Sequence, residues 1–223
     1  YYSPLNVNAY YRLKKNAIEM PVGLLRSPFY HACLRQSNIF GSFGYMMGHE
    51  LMHGFDYDGL NYDKQGNVAT SSSTSSFSSN QETDANSSSS NEILPPNFGW
   101  NAKALIRFGT SASCYFFERY TNAAPNINEN IADTEGLRLS LETLRALQKQ
   151  QNDALDLSGD DLKLFFLSFA QTWCGSNLSK DNSLHANHRE RVNNVLGNFP
   201  EFAETYKCSS SSAMNPNKKC KIW

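Results

Sequence analysis

Two histidines four residues apart, with a glutamate beside the first, are the residues whose spacing points most directly to chemistry in this 223-residue chain. They lie in Gly44-Tyr45-Met46-Met47-Gly48-His49-Glu50-Leu51-Met52-His53-Gly54-Phe55-Asp56. On a helix His49 and His53 share one face, so both imidazoles can reach one cation. Glu50 then stands close to the metal without having to ligate it. In a zinc hydrolase, two neutral imidazoles hold Zn2+ while a neighbouring carboxylate takes the proton from a zinc-activated water. With 5 His and 11 Glu in the chain, chance would produce His-Glu-x-x-His only about 0.006 times. A helix that merely displays two exposed histidines and a solvated glutamate is therefore the weaker reading.

Zinc needs a third protein ligand. The extended His-x-x-Gly-x-x-His pattern would require histidine where the chain has Gly59, which excludes that design. A later stretch, Asn128-Glu129-Asn130-Ile131-Ala132-Asp133, opens a long helical pattern with apolar residues at Ile131, Leu137, Leu141, Leu144 and Leu147. Glu129 and Asp133 share a face there. That suits Glu129 as ligand and Asp133 as the acceptor of a zinc histidine's other ring N–H. An ordinary carboxylate at a helix start, favoured by the macrodipole, is the plain alternative for Glu129.

The elements that must position these groups can be followed along the chain. Val7 to Tyr11 and Ala17 to Pro21 read as a hairpin, whose free edge could pair with an extended peptide. Residues 21 to 42 read as loop, leading through Gly41-Ser42-Phe43-Gly44 into the motif helix. The turn-rich Tyr57 to Asn67 does not match the spacing of a calcium loop, so it reads as a structural turn. Residues 71 to 90 hold 11 serines, and a tract that cannot bury apolar surface predicts a disordered insertion at about 70–93. Helical patterns follow to about Tyr120, from Asp160 to about Cys174, from about Arg189 to Leu196 and from Glu201 to Cys208. The Leu164-Phe165-Phe166-Leu167 segment is apolar nearly all round, which predicts burial.

Composition narrows the classes. At 40% hydrophobic and 13% aromatic the chain can build a core, as one large domain or two small ones. A net charge of −1 and a pI near 6.6 give no electrostatic argument for nucleic acid as a partner. No apolar run approaches a membrane span, and the first residues do not form a signal peptide; the sequence does not begin with Met, so it reads as a piece or a processed product. Cys33, Cys114, Cys174, Cys208 and Cys220 include no C-x-x-C pair. Scattered cysteines together with the acceptors Asn86-Ser87-Ser88 and Asn177-Leu178-Ser179 suit an oxidising, extracellular setting.

The chain resembles the neprilysin-like zinc peptidases, which include the endothelin-converting enzymes. The resemblance rests on Val7-Asn8-Ala9-Tyr10-Tyr11, Gly48 to Asp56, Glu129-Asn130-Ile131-Ala132-Asp133, Ala170-Gln171-Thr172-Trp173-Cys174-Gly175, and the tail Met214-Asn215-Pro216 through Lys219-Cys220-Lys221-Ile222-Trp223. It departs at Asn187, where the family has proline, and at Ile127-Asn128, where the family has Leu-Gly. The resemblance implies a single mainly helical α+β, thermolysin-like catalytic domain over residues 1–223 with a small N-terminal hairpin, the C-terminal catalytic lobe of a type II membrane ectoenzyme or of a secreted form.

By the same resemblance His49, His53 and Glu129 are the ligands of one Zn2+, Glu50 the general base, and Asp133 the orienting carboxylate. His185 is the oxyanion donor, and Arg191, six positions on, clamps substrate carbonyls. Asn8 and Ala9 lie on the strand that pairs with substrate, while Leu24, Phe29, Tyr45, Met46 and Trp173 line an apolar pocket for the residue after the cut; plain core packing is the alternative for each of these five. Cys114 pairs with Cys220, Cys174 and Cys208 bond to an N-terminal lobe, and Cys33 is extra. The expected function is hydrolysis of short peptides on the amino side of hydrophobic residues. The competing expectation is a catalytically silent peptide-binding or adhesion domain of the same fold.

Overall fold

A computed structural model describes residues 3–68, 102–117, 123–152, 156–175 and 185–222. The serine-rich insertion and both glycosylation acceptors lie outside the described residues. The described chain is mainly helical, with one two-stranded sheet. None of its helices is long and apolar enough to cross a membrane.

The sheet is an antiparallel hairpin of β1 (Tyr10–Arg12) and β2 (Ala17–Glu19), in register Tyr10 to Glu19 and Arg12 to Ala17. It is shorter than the sequence pattern predicts: Val7 to Ala9 lie outside the strand, and the turn closes through a 3-10 segment, Leu13–Lys15, with Asn16 in the left-handed region at φ 46°. The loop expected over residues 21–42 holds as turns and a short 3-10 segment up to Arg35 and then gives way to helix. α1 (Gln36–Ile39), a π-helical stretch (Phe40–Gly44) and α2 (Tyr45–Met52) follow without a break, so the motif sits at the end of a longer rod. A π turn disturbs the regular backbone ladder. Here the Phe40 carbonyl accepts from the Ser140 hydroxyl at 2.6 Å, which ties the rod to the helix behind it.

That helix is α5 (Ala123–Asn152), which begins before the residues that the sequence pattern marks. The α3 (Ala102–Ala112) and α4 (Cys114–Phe117) helices precede it. The crossing of α2 over α5 is unusually close, because two glycines meet there. A Cβ on Gly48 would run into the Gly136 carbonyl, and one on Gly136 would stand 2.5 Å from the His49 nitrogen. Only hydrogen side chains let the two backbones approach this far. The contact lies one residue from His49 and three from Asp133.

α6 (Gly159–Thr172) starts at Ser158, whose hydroxyl accepts from the Asp161 N–H at 3.1 Å, and α7 (His188–Leu196) at Asn187, whose side chain accepts from the Glu190 N–H at 2.9 Å. Both are N-caps that satisfy donors the first helical turn leaves open. α8 (Pro200–Thr205) completes the set. Tyr45, Leu137, Leu141, Leu144, Phe165, Phe166, Phe169, Val195 and Phe199 form the main core. Leu167 corrects the expectation of burial all round α6: it is 48% exposed, on the face turned away from the core.

A second, smaller core gathers Phe108, Ala112, Tyr115, Ile131 and Ile222 around a disulfide between Cys114 and Cys220. The bond spans 106 residues. In the simplest chain-entropy account a loop of that length is worth about 4–5 kcal/mol. Cys33, Cys174 and Cys208 carry free thiols.

Candidate metal centre

The two motif histidines face the same way because helical dihedrals persist through His53, the C-cap that follows α2, at φ −62° and ψ −19°. Their rings stand 4.8 Å apart and nearly perpendicular. From α5, Glu129 and Asp133 present their carboxylates one turn apart to that face. The Nε2 atoms of His49 and His53 are 3.2 Å from one another. Glu129 Oε2 lies 3.2 Å from His49 Nε2, and Glu129 Oε1 lies 3.7 Å from His53 Nε2. Zinc bonds of 2.0–2.1 Å in a tetrahedron separate neighbouring ligand atoms by about 3.3 Å. The spacings are thus those of three ligands around one small cation.

The outer ring nitrogens are held as well. His53 Nδ1 is 2.8 Å from Asp56 Oδ2, while Asp56 Oδ1 accepts the backbone N–H groups of Asp58 and Gly59. His49 Nδ1 is 2.9 Å from Asp133 Oδ1, at hydrogen-bond distance though off the ideal line. Each imidazole thereby has a carboxylate behind it, the arrangement that fixes the tautomer of a metal histidine. Glu129 Oε2 is buried and receives no hydrogen bond of good geometry. An acceptor oxygen left so, among imidazole nitrogens, fits a divalent cation, and a two-nitrogen, one-carboxylate donor set suits zinc.

His185 reaches the same place from the segment just ahead of α7. Its Nε2 is 2.9 Å from Glu129 Oε2, and with His49 and Glu129 it also forms a set able to surround an ion. That distance is shorter than a ligand–ligand edge of about 3.3 Å, whereas His53 stands one turn from His49 with the Asp56 carboxylate at its outer ring nitrogen. The geometry of His53 is the closer match to a second imidazole of such a set.

The electrostatics follow from burial and pairing. Burial alone would lower the His49 imidazole, but hydrogen bonding to Asp133 and Glu129 outweighs it and raises His49 to about 9. Burial would raise the carboxyls of Glu129 and Asp133. The imidazoles of His185 and His49 hold Glu129 well below the usual carboxylate range, and the Arg191 guanidinium with His49 does the same for Asp133. Glu50 differs: burial pushes its carboxyl up despite the pull of His49 and His53, and the Tyr11 backbone N–H is its hydrogen-bond donor. A carboxylate raised in this way suits proton transfer near neutrality.

Asp133 is the most heavily served group. Arg191 donates to both its oxygens, Nε to Oδ2 at 2.7 Å. The Tyr45 hydroxyl donates to Oδ1 at 2.6 Å. Arg191 in turn lies 3.8 Å above the Trp173 ring, a stacked cation held between an aromatic face and a buried carboxylate.

A cleft of about 640 Å³ opens onto these groups, lined by Asn8, Ala9, Phe29, Met46, Glu50, Trp173, His185 and Arg191 among others. Two pocket residues expected from the sequence are not there. Leu24 and Tyr45 are both 0% exposed and belong to the core, Tyr45 because its ring packs edge-on against Phe169 at 4.7 Å and its hydroxyl is spent on Asp133. Asn8 and Ala9 reach the cleft from irregular chain just ahead of β1 rather than from a strand. A larger hollow of about 980 Å³ beside the hairpin, lined by Arg12, Lys14, Glu19 and Tyr62, holds none of the converging ligands. The roles of Asp56, Gly48 and Gly136 escape the sequence reading. Asp56 falls three residues after His53, a helical neighbour's spacing, and was legible on that ground; the glycine crossing joins residues distant in sequence and was not.

Residues 8–222 match the model of peptidase family M13. Neprilysin-3 of Drosophila melanogaster is 34% identical over 99% of this chain and 27% of its own length. An endothelin-converting enzyme homolog of Locusta migratoria is 32% identical over 99% of the chain and 29% of its own length. The chain thus spans between a quarter and a third of these curated relatives. In fold, it is similar to the zinc metalloprotease Zmp1 of Mycobacterium tuberculosis in its open state, with a TM-score of 0.73 at 23% identity over 99% of this chain and 33% of that one. The match from the hairpin to the tail takes in the converging histidines and carboxylates, and it places the chain in peptidase family M13.

Proposed function

We propose that the chain carries the catalytic centre of a zinc metalloendopeptidase that cuts short peptides on the amino side of hydrophobic residues. The observation that supports it is the convergence of His49, His53 and Glu129 at ligand spacing, with a carboxylate behind each imidazole and Glu50 left beside them. His49, His53 and Glu129 would hold the ion. When bound, zinc supplies a Lewis acid that acidifies water and polarises the scissile carbonyl. Glu50 takes the proton from the attacking water and passes it to the leaving amine. No covalent enzyme intermediate is needed.

His185, at the rim of the cleft, donates to the oxyanion as charge develops. Arg191 keeps Asp133 ionised and faces the cleft from beside Trp173, where it clamps a substrate carbonyl. The main chain at Asn8 and Ala9 pairs with the extended peptide. Phe29, Met46 and Trp173 make the apolar wall that selects the residue after the cut. Cys174 and Cys208, free in this chain, bond to a further lobe of the same polypeptide, in an extracellular setting.

Glu50→Gln tests the reading. It removes the base while keeping the ligands, so zinc stoichiometry should stay at one and cleavage of a fluorogenic peptide should fall about 10²- to 10⁴-fold. Undiminished cleavage in that variant would remove Glu50 from the mechanism. A parental protein that binds zinc yet cuts no peptide would favour the silent peptide-binding domain.

A further inference from the structure

We propose that Tyr45 is a positioning residue of the zinc site, holding the Asp133 carboxylate in register with His49. The inference rests on the reading of His49 as a ligand. Tyr45 and His49 are four residues apart on α2 and so share a face. Both reach the same oxygen on α5: the Tyr45 hydroxyl stands 2.6 Å from Asp133 Oδ1, and His49 Nδ1 stands 2.9 Å from it. Arg191 fixes the plane of that carboxylate from α7. Arginine cannot fix where the carboxylate sits relative to the helix that carries the ligand. Tyr45 can, because it belongs to that helix.

The ring has little freedom to do anything else. It is 0% exposed, edge-on to Phe169 at 4.7 Å and to Trp173 at 6.1 Å. Burial and the neighbouring Asp133 carboxylate push the phenol's ionisation well up, so the hydroxyl remains a donor. Hydrogen bonds to charged groups are worth more than neutral ones, and groups behind a metal histidine are worth about 10- to 100-fold in metal affinity. Tyr45 acts one bond further out than Asp133, so an effect at the lower end of that range follows.

The test is Tyr45→Phe, which keeps the ring and removes only the donor. Zinc affinity measured by chelator competition should fall about tenfold, and the visible spectrum of the cobalt-substituted protein should shift. For a peptide with an apolar residue after the cut, kcat should fall with KM unchanged, because the ring does not line the cleft. In an Asp133→Asn background the same substitution should add less than about twofold, since the two act as one unit. Unchanged zinc affinity and cobalt spectrum in Tyr45→Phe would overturn the proposal, as would a rise in KM alone. So would a metal-free variant that no longer folds, which would show the hydroxyl supporting the fold rather than the site. If the parental protein itself binds no zinc, the reading of the whole site fails first, which separates that failure from this one.

Discussion

Two buried carboxylates on α5, Asp133 and Glu135, are furnished almost identically and face different parts of the molecule. Each accepts a tyrosine hydroxyl, Asp133 from Tyr45 at 2.6 Å and Glu135 from Tyr115 at 2.7 Å. Each also meets an arginine, Arg191 in one case and Arg138 in the other. At about 100° per residue, positions two apart point to nearly opposite sides of a helix. Asp133 therefore turns toward the cleft and Glu135 toward the tail. The difference lies in the third neighbour. For Asp133 it is the His49 imidazole, and for Glu135 it is the backbone N–H of Ile222 at 3.0 Å. Arg138 then reaches the Cys220 carbonyl at 3.1 Å, so one carboxylate and its arginine clasp the irregular tail beside the disulfide. Burial and pairing alone thus do not tell the two apart; what the remaining lone pair faces does.

Glu135→Ala is expected to break the structural half of this comparison. It leaves Arg138 and the Tyr115 hydroxyl without their acceptor, and removing one partner of a buried charged pair costs about 3–5 kcal/mol. Urea unfolding of the metal-free protein should register that loss, while the protein that remains folded binds zinc as before. If zinc affinity falls along with stability, the two faces of α5 are coupled and the division between them is wrong.

Asp133→Asn acts on the other face and on another quantity. The amide keeps the shape and an acceptor for Tyr45 but loses the charge that His49 and Arg191 meet. Zinc affinity should drop about 10- to 100-fold by chelator competition. An equal drop from Glu135→Gln would dissolve the distinction.

The sequence made one of these faces legible and hid the other. His49, Glu50 and His53 are read from local spacing, since helical periodicity alone brings them together, and Glu129 and Asp133 carry the same one-turn signal. Glu135 carries none, because its partners Tyr115, Arg138 and Ile222 are assembled by tertiary packing. The same reason explains the misplacement of Tyr45 and Leu24. An aromatic or aliphatic residue beside a motif lines either a pocket or a core, and only the crossing of α2 with α5 decides which. That crossing depends on Gly48 and Gly136, whose meeting no local pattern announces. The helical residues 36–44 were hidden differently: glycine-rich Gly41-Ser42-Phe43-Gly44 has loop propensity, and packing against α5 and α6 overrides it.

A third carboxylate, near the surface, gives the smallest effect and sets the scale for the other two. Asp161 in the first turn of α6 accepts from the Ser158 and Ser37 hydroxyls, the latter at 3.1 Å. The Ser158 hydroxyl is the main cause that holds its carboxyl below the ordinary value, against a smaller opposing effect of burial. A folded-state value below the unfolded one means that the contribution to stability is complete above about pH 4 and fades as the pH falls through the folded-state value. Ser158→Ala removes both the cap and this partner, and should cost about 1 kcal/mol at pH 7. Measured on the metal-free protein by urea unfolding, the gap between variant and parent should narrow at pH 3 without closing, because the bond from the Asp161 N–H to the Ser158 hydroxyl does not depend on ionisation. A gap that widens on acidification would reverse the assigned sign. Since α6 carries no ligand, zinc affinity at pH 7 should be the same in both proteins, and any change there would mean that the caps, and not only the buried carboxylates of α5, set the geometry of the metal site.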